Sequence, residues 1–170
     1  MNKVARFEKV SFRQFKKDMQ LNSSFDDQQI QDIYDGIKLP ERATKSSAGY
    51  DFYMPYDVKI DGHDSKKIIT GIRCRIDEQW VLMIFPRSSL GFKYRMQLSN
   101  TVGIIDSDYY GANNEGHIII KVSNDDYEKQ PIELSAGSRF AQGVFVMYGI
   151  TEDDEAEGMR TGGFGSTDKI

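Results

Sequence analysis

The stretch GIIDSDYYGANNEGHI, residues 103 to 118, runs from apolar residues into two carboxylates and two tyrosines, then through Gly and Asn into a second β-branched run. The chain interrupts strand-forming residues with a polar tip, which reads as a hairpin. Two readings of that tip are open. It is a solvated turn, or it is a rigid support that holds a carboxylate and an aromatic ring against a ligand. The same texture extends outward on both sides. From Leu39 onward, short apolar runs are separated by Gly, Pro, Asp and Asn: DFYMPYDVKI (51–60), KKIITGIRCRI (66–76), QWVLMIFP (79–86), GHIIIKVS (116–123) and RFAQGVFVMYGI (139–150). Short strands with frequent turn signals predict an all-β sandwich or barrel rather than alternating βα units.

The N-terminal region differs. VARFEKVSF (4–12) alternates loosely and reads as a first strand, but Phe12, Phe15, Met19, Phe25, Ile30, Ile33 and Tyr34 then recur at helical spacings. Asp26 or Asp27 is placed to cap a helix through QQIQDIYDG, with Gly36 as its stop. The spacing predicts a short helical insert over about residues 13–36.

Composition bounds the partners. A chain of 170 residues suits one domain, with a core large enough to need no staples. The net charge of −4 offers no global attraction to nucleic acid or to an anionic membrane, so any phosphate binding must come from a local basic site. Cys74 is the only cysteine, which rules out an internal disulfide, and His63 and His117 are too few for a His-based metal centre. The start is charged throughout, and no apolar run approaches the ~18 residues of a membrane span. The expectation is a soluble cytoplasmic protein that contacts neither membrane nor nucleic acid directly.

Taken in order, further stretches carry a resemblance. LPERAT (39–44) leads into SAGYDFY (47–53), followed by PRSSLG (86–91), GIIDSDYYG (103–111), AGSRFAQ (136–142) and RTGGFGST (160–167). These resemble the five motifs of the trimeric dUTP diphosphatases (dUTPases), over most of the chain. The resemblance implies an all-β, jelly-roll-like barrel over residues 1–157, with a flexible Gly-rich arm over 158–170. It implies a homotrimer whose active sites lie at subunit junctions, each completed by a neighbour's arm. It also implies the reaction: Mg²⁺-dependent hydrolysis of dUTP to dUMP and pyrophosphate, which limits uracil in DNA and supplies dUMP for dTMP synthesis.

Residue by residue, the resemblance makes Asp106 the base that activates a water for in-line attack on the α-phosphorus. Tyr109 lies under the deoxyribose, filling the space of a 2′-hydroxyl. Asn100, with hairpin backbone at Gly103 and Ile105, meets the uracil. Arg87, Ser88, Ser89 and Gln142 meet the phosphates. From the arm, Phe164 covers the base while Arg160, Gly165 and Ser166 wrap the triphosphate. Asp51 holds a water of the Mg²⁺, whose direct ligands are triphosphate oxygens. The chain departs from the family pattern in its helical insert, in ANNEG (112–116) lengthening the turn, in Tyr110 where a basic or polar residue is commoner, and in Arg160 lying one residue closer to Phe164. A longer variant of this kind resembles phage and prophage members, which would place it in the cytoplasm of a bacterial host. The rival on the same fold is a dCTP deaminase. A reading from another class is a dUTPase that also engages a regulatory protein, through the insert or the 112–116 turn.

Overall fold

Alternation of buried and open positions builds most of the molecule. In the computed structural model, which describes residues 2–126, 128, 130–158 and 162, twelve strands and three helices follow one another. They are β1 (Ala5–Lys9), α1 (Phe12–Asn22), α2 (Asp27–Gly36), β2 (Glu41–Arg42), β3 (Tyr50–Tyr53), β4 (Val58–Ile60), β5 (Ser65–Ile69) and β6 (Ile72–Ile76), then β7 (Trp80–Pro86), α3 (Ser88–Tyr94), β8 (Met96–Leu98), β9 (Gly103–Ile105), β10 (Ile119–Asn124), β11 (Ile132–Leu134) and β12 (Arg139–Met147). A 3₁₀ turn, Ser107–Gly111, follows β9.

The strands form four hydrogen-bonded sheets, ordered β2-β3-β12-β7-β9, β5-β10-β8, β1-β6 and β11-β4. The fold is all-β and jelly-roll-like, with its sheets laid around one core rather than joined into a closed cylinder. β12 is the spine of the largest sheet: it pairs antiparallel with β3 on one side and along all of β7 on the other. In β6 and β11, side chains point alternately into the core and out of it, as period-2 geometry requires. Phe52, Ile60, Ile68, Leu82, Val122 and Phe140 meet there with almost no exposure.

The N-terminal strand is shorter than its sequence pattern suggests. It ends at Lys9, and Phe12 already belongs to α1, because Ser11 caps that helix by accepting the Gln14 amide at 3.2 Å. A helix cap takes over where alternation would have continued the strand. The helical insert consists of two helices, α1 and α2. Asp26, not Asp27, starts the second: its carboxylate accepts the Gln29 amide while the Gln29 side chain accepts the Asp26 amide, a reciprocal capping box. Phe15, Met19 and Ile30 are fully buried in the same core as Phe52 and Phe140, so the insert is integral to the fold.

Candidate active site

Two clusters of candidate residues form on the largest sheet. The first lies where β3, β12 and the end of β7 meet. Asp51 on β3 faces Gln142 on β12, and Gln142 in turn faces Phe85 on β7. Arg87 follows directly after β7 and starts α3. Its guanidinium pairs with Asp51 Oδ1, and Arg139 donates to Asp51 Oδ2 at 3.1 Å. Asp51 is buried at 6% exposure, so its charge requires these partners. The arginines are more open, with side chains 28% and 47% exposed. A buried carboxylate thus orients two cations whose outer faces remain available. Gln142 Nε2 reaches the Pro86 carbonyl at 3.5 Å, and Ser88 and Ser89 lie exposed in the first turn of α3. The cluster brings together Asp51, Arg87, Ser88, Ser89 and Gln142. Arg139 is the residue that sequence reasoning missed; it sits three residues before Gln142, in the same motif, which was its available signal.

The second cluster is a cavity of about 480 Å³, lined by Asn100, Gly103, Ile105 and Tyr109 with Ile84 and the start of β10 among its other walls. Its mostly apolar lining suits a flat ring, and its polar groups are Asn100, Ser99, Lys67, Lys121 and the hairpin backbone. Tyr109 is buried at 6% exposure. Its hydroxyl donates to the His117 carbonyl at 2.9 Å and accepts from Asn114 Nδ2 at 2.8 Å. The ring, rather than the hydroxyl, is what Tyr109 offers the cavity. Asp106 directly follows β9 and caps the 3₁₀ turn, where its carbonyl accepts the Tyr109 amide at 3.2 Å. It is half-buried.

Tyr110 faces a different neighbourhood. Its hydroxyl donates to Glu8 at 2.7 Å, and the Arg73 guanidinium lies 4.2 Å from its ring centroid. The Tyr110 bond, outweighing burial and helped by Arg73, holds the Glu8 carboxyl below its usual value; the same bond pushes the Tyr110 phenol up. This residue braces β1 and β6 against the hairpin.

The register separates the two clusters. Ile105 pairs with Leu82, whereas Arg87 lies just past the other end of β7. Five residues of strand at about 3.3 Å each put roughly 17 Å between those points. Within one chain, Asp106 and the arginine cluster do not meet. The expected roles of Arg160, Phe164, Gly165 and Ser166 fall on positions outside the described residues. Among the described residues, no three His, Cys, Asp or Glu side chains converge as a metal cage. No described helix is long and apolar enough to cross a membrane.

The dUTPase family model matches residues 35–168, leaving β1, α1 and all but the end of α2 outside the match. The deoxyuridine 5'-triphosphate nucleotidohydrolase of Lactococcus lactis subsp. lactis is 38% identical over 135 residues, covering 78% of this chain and 89% of that protein. The crystal structure of a dUTPase from Streptococcus mutans superposes with a TM-score of 0.65 at 31% identity, covering 86% of this chain and 98% of that one. A mutant dUTPase from phage phi11 of S. aureus, described with a structural Mg(II) ion, shares the fold at a TM-score of 0.64 and 17% identity, over 92% of this chain and 98% of that one. The all-β fold is that of enzymes named for hydrolysing a nucleoside triphosphate. The chain belongs to the dUTPase family.

Proposed function

We propose that the protein hydrolyses dUTP to dUMP and pyrophosphate, in a homotrimer whose sites are shared between subunits. The observation that carries the substrate is the cavity: Asn100 and hairpin backbone stand at its polar side, and the Tyr109 ring forms a wall with its hydroxyl tied back. Backbone groups tell uracil from cytosine because the two bases present opposite donors and acceptors at C4. The Tyr109 ring fills the volume a 2′-hydroxyl would need, so ribonucleotides are excluded by contact.

For the chemistry, Asp106 accepts a proton from a water as that water's oxygen forms a bond to the α-phosphorus. The bond from that phosphorus to the α–β bridging oxygen breaks in line, and its electron pair leaves with pyrophosphate. Ser88 donates a hydrogen bond toward that bridging oxygen, and Arg87, with Gln142, holds the phosphates. Asp51 keeps both arginines aimed.

The donor set also suits the expected cation. An ionised carboxylate has about four acceptor positions, and the two arginines leave room on Asp51 for a water, though not for the role of a direct ligand among several. Asp51 would hold a water of a Mg²⁺ carried by the triphosphate, and that ion supplies charge neutralisation at the phosphates.

The ~17 Å of strand between Asp106 and Arg87 supports the trimer. A general base and a phosphate clamp for one substrate must lie within a few ångströms of each other. Residues from two chains satisfy this; residues from one do not.

The deaminase reading is disfavoured by the hairpin motif itself, in which Asp106 followed by Tyr109 in IDSDY resembles the hydrolase pattern rather than a Glu placed to move protons at C4. The test is a parallel product assay with dUTP, dTTP, dCTP and UTP in Mg²⁺. Pyrophosphate from dUTP, with slow turnover of the others, is expected. Ammonia from dCTP, or UTP turned over as fast as dUTP, would refute the reading.

A further inference from the structure

The insert, most of which lies outside the family match, and the 112–116 turn are joined to one another beneath Tyr109. His117 is fully buried. Its Nε2 accepts the Gly71 amide at 2.8 Å, so the proton sits on Nδ1, which donates to Asp18 Oδ2 at 2.6 Å. Asp18 belongs to α1, and the same carboxylate oxygen accepts from Gln14 at 2.8 Å. The imidazole is therefore clamped from both ends, by the β5–β6 connection and by the insert. The backbone carbonyl of this clamped residue receives the Tyr109 hydroxyl, and Asn114 in the lengthened turn donates to that hydroxyl from the other side.

We infer that the insert is a specificity device: Asp18, acting through His117, positions the Tyr109 ring so that it rejects a 2′-hydroxyl. The inference rests on the proposed reading of the cavity. Asp18 touches no substrate; it is a positioning residue. A ring held by a fixed carbonyl and a fixed amide cannot retreat from an extra oxygen. A ring whose carbonyl partner can drift gives way, and displacement by a fraction of an ångström suffices to admit the ribose. The expected signature is a loss of discrimination rather than a general loss of rate.

The test compares kcat/KM for dUTP and UTP in the full chain and its variants. Asp18→Ala is expected to lower the dUTP:UTP preference about tenfold or more, mainly by raising the KM for dUTP and the kcat/KM for UTP. Asp18→Asn, whose amide oxygen still accepts from both Nδ1 and Gln14, is expected to restore the preference. Asn114→Ala removes the second hold on the hydroxyl together with the 3.5 Å bond from the same amide to the His117 carbonyl, leaves the Asp18–His117 pair in place, and is expected to lower the preference as well. Glu115→Gln weakens a separate tie between insert and turn, the bonds from the Ser11 amide and hydroxyl at 2.7 and 2.6 Å. It is expected to lower the melting temperature and leave the preference intact. An unchanged preference in folded Asp18→Ala overturns the inference, whatever Asn114→Ala does, as does a Glu115→Gln effect on preference equal to that of Asp18→Ala. If Asp18→Ala does not fold, Asp18→Ser, too short to reach Nδ1, is read in its place with the same two outcomes. Failure of the wild-type chain to prefer dUTP would instead defeat the reading of the cavity.

Discussion

Replacing Gly116 by Ala should cost far more than the same change at Gly137, and the difference measures how tightly the hairpin turn is packed. Both glycines have left-handed backbone, with φ of +68° and +77°. Alanine in that region costs roughly 1–2 kcal/mol at either position. The surroundings then diverge. A Cβ on Gly137 meets nothing within 4 Å, whereas one on Gly116 would lie 2.6 Å from the Tyr109 carbonyl oxygen and 2.8 Å from Tyr110 Cα. Those atoms are backbone and cannot rotate away, so the turn must shift; overpacking of this kind costs about 1–3 kcal/mol more. The total for Gly116→Ala is about 2–5 kcal/mol, against about 1–2 for Gly137→Ala. Urea unfolding at one fixed protein concentration reads the difference, since assembly would otherwise move the midpoint. Because the strained atoms belong to Tyr109 and Tyr110, the surviving Gly116→Ala protein should also lose preference for dUTP over UTP. Equal destabilisation by the two substitutions would refute the packing argument.

Other expectations follow from the same geometry. Asp106→Asn keeps the side-chain shape and removes the basicity, so turnover should fall by about 10²-fold or more while nucleotide affinity survives; near-normal turnover in a single-turnover assay would move the base to another residue. Co-expressed Asp106→Asn and Arg87→Ala chains should recover activity above the sum of the separately purified variants, because mixed assemblies contain junctions with both intact residues. No gain in the mixture would mean that one chain supplies the whole site. Acid should weaken the anchoring of the insert. Burial raises the Asp18 pKa, but the hydrogen bonds from His117 and Gln14 and the nearby positive charge outweigh it, so the net shift is below the ordinary 3.8. A depressed carboxylate pKa contributes stability that is full above the unfolded value and disappears as pH falls through the folded one. Unfolding free energy measured from about pH 5 downward should therefore drop more steeply in wild type than in Asp18→Asn, and parallel curves would contradict the assignment.

Local chemistry in the sequence determined the class of fold. Alternating β-branched runs broken by Gly, Pro, Asp and Asn are strands wherever they occur, because each residue's direction on a pleated backbone is set by its immediate neighbours. The same holds for Asp26 and Gln29, whose reciprocal cap spans three residues. The order of the motifs likewise placed Arg87, Asn100, Asp106 and Tyr109 near strand ends and turns. Alternation was a poor guide only where two local signals competed, as at Ser11, where a helix cap overrode a strand-like pattern.

Tertiary structure decided what depends on partners far apart in the chain. Nothing near Asp18 in sequence announces His117, ninety-nine residues away, and a lone histidine between a turn and a strand carries no periodic mark. Arg139 became part of the phosphate cluster only because β12 lies beside β3 and so brings it to Asp51, eighty-eight residues distant. The separation of Asp106 from Arg87 is a matter of strand register, set by which faces of β7 and β9 the core buries. Strand and helix come from short-range sterics and capping, which each segment carries with it; charge pairing, register and cavity shape arise only when the packed core has fixed which segments are neighbours.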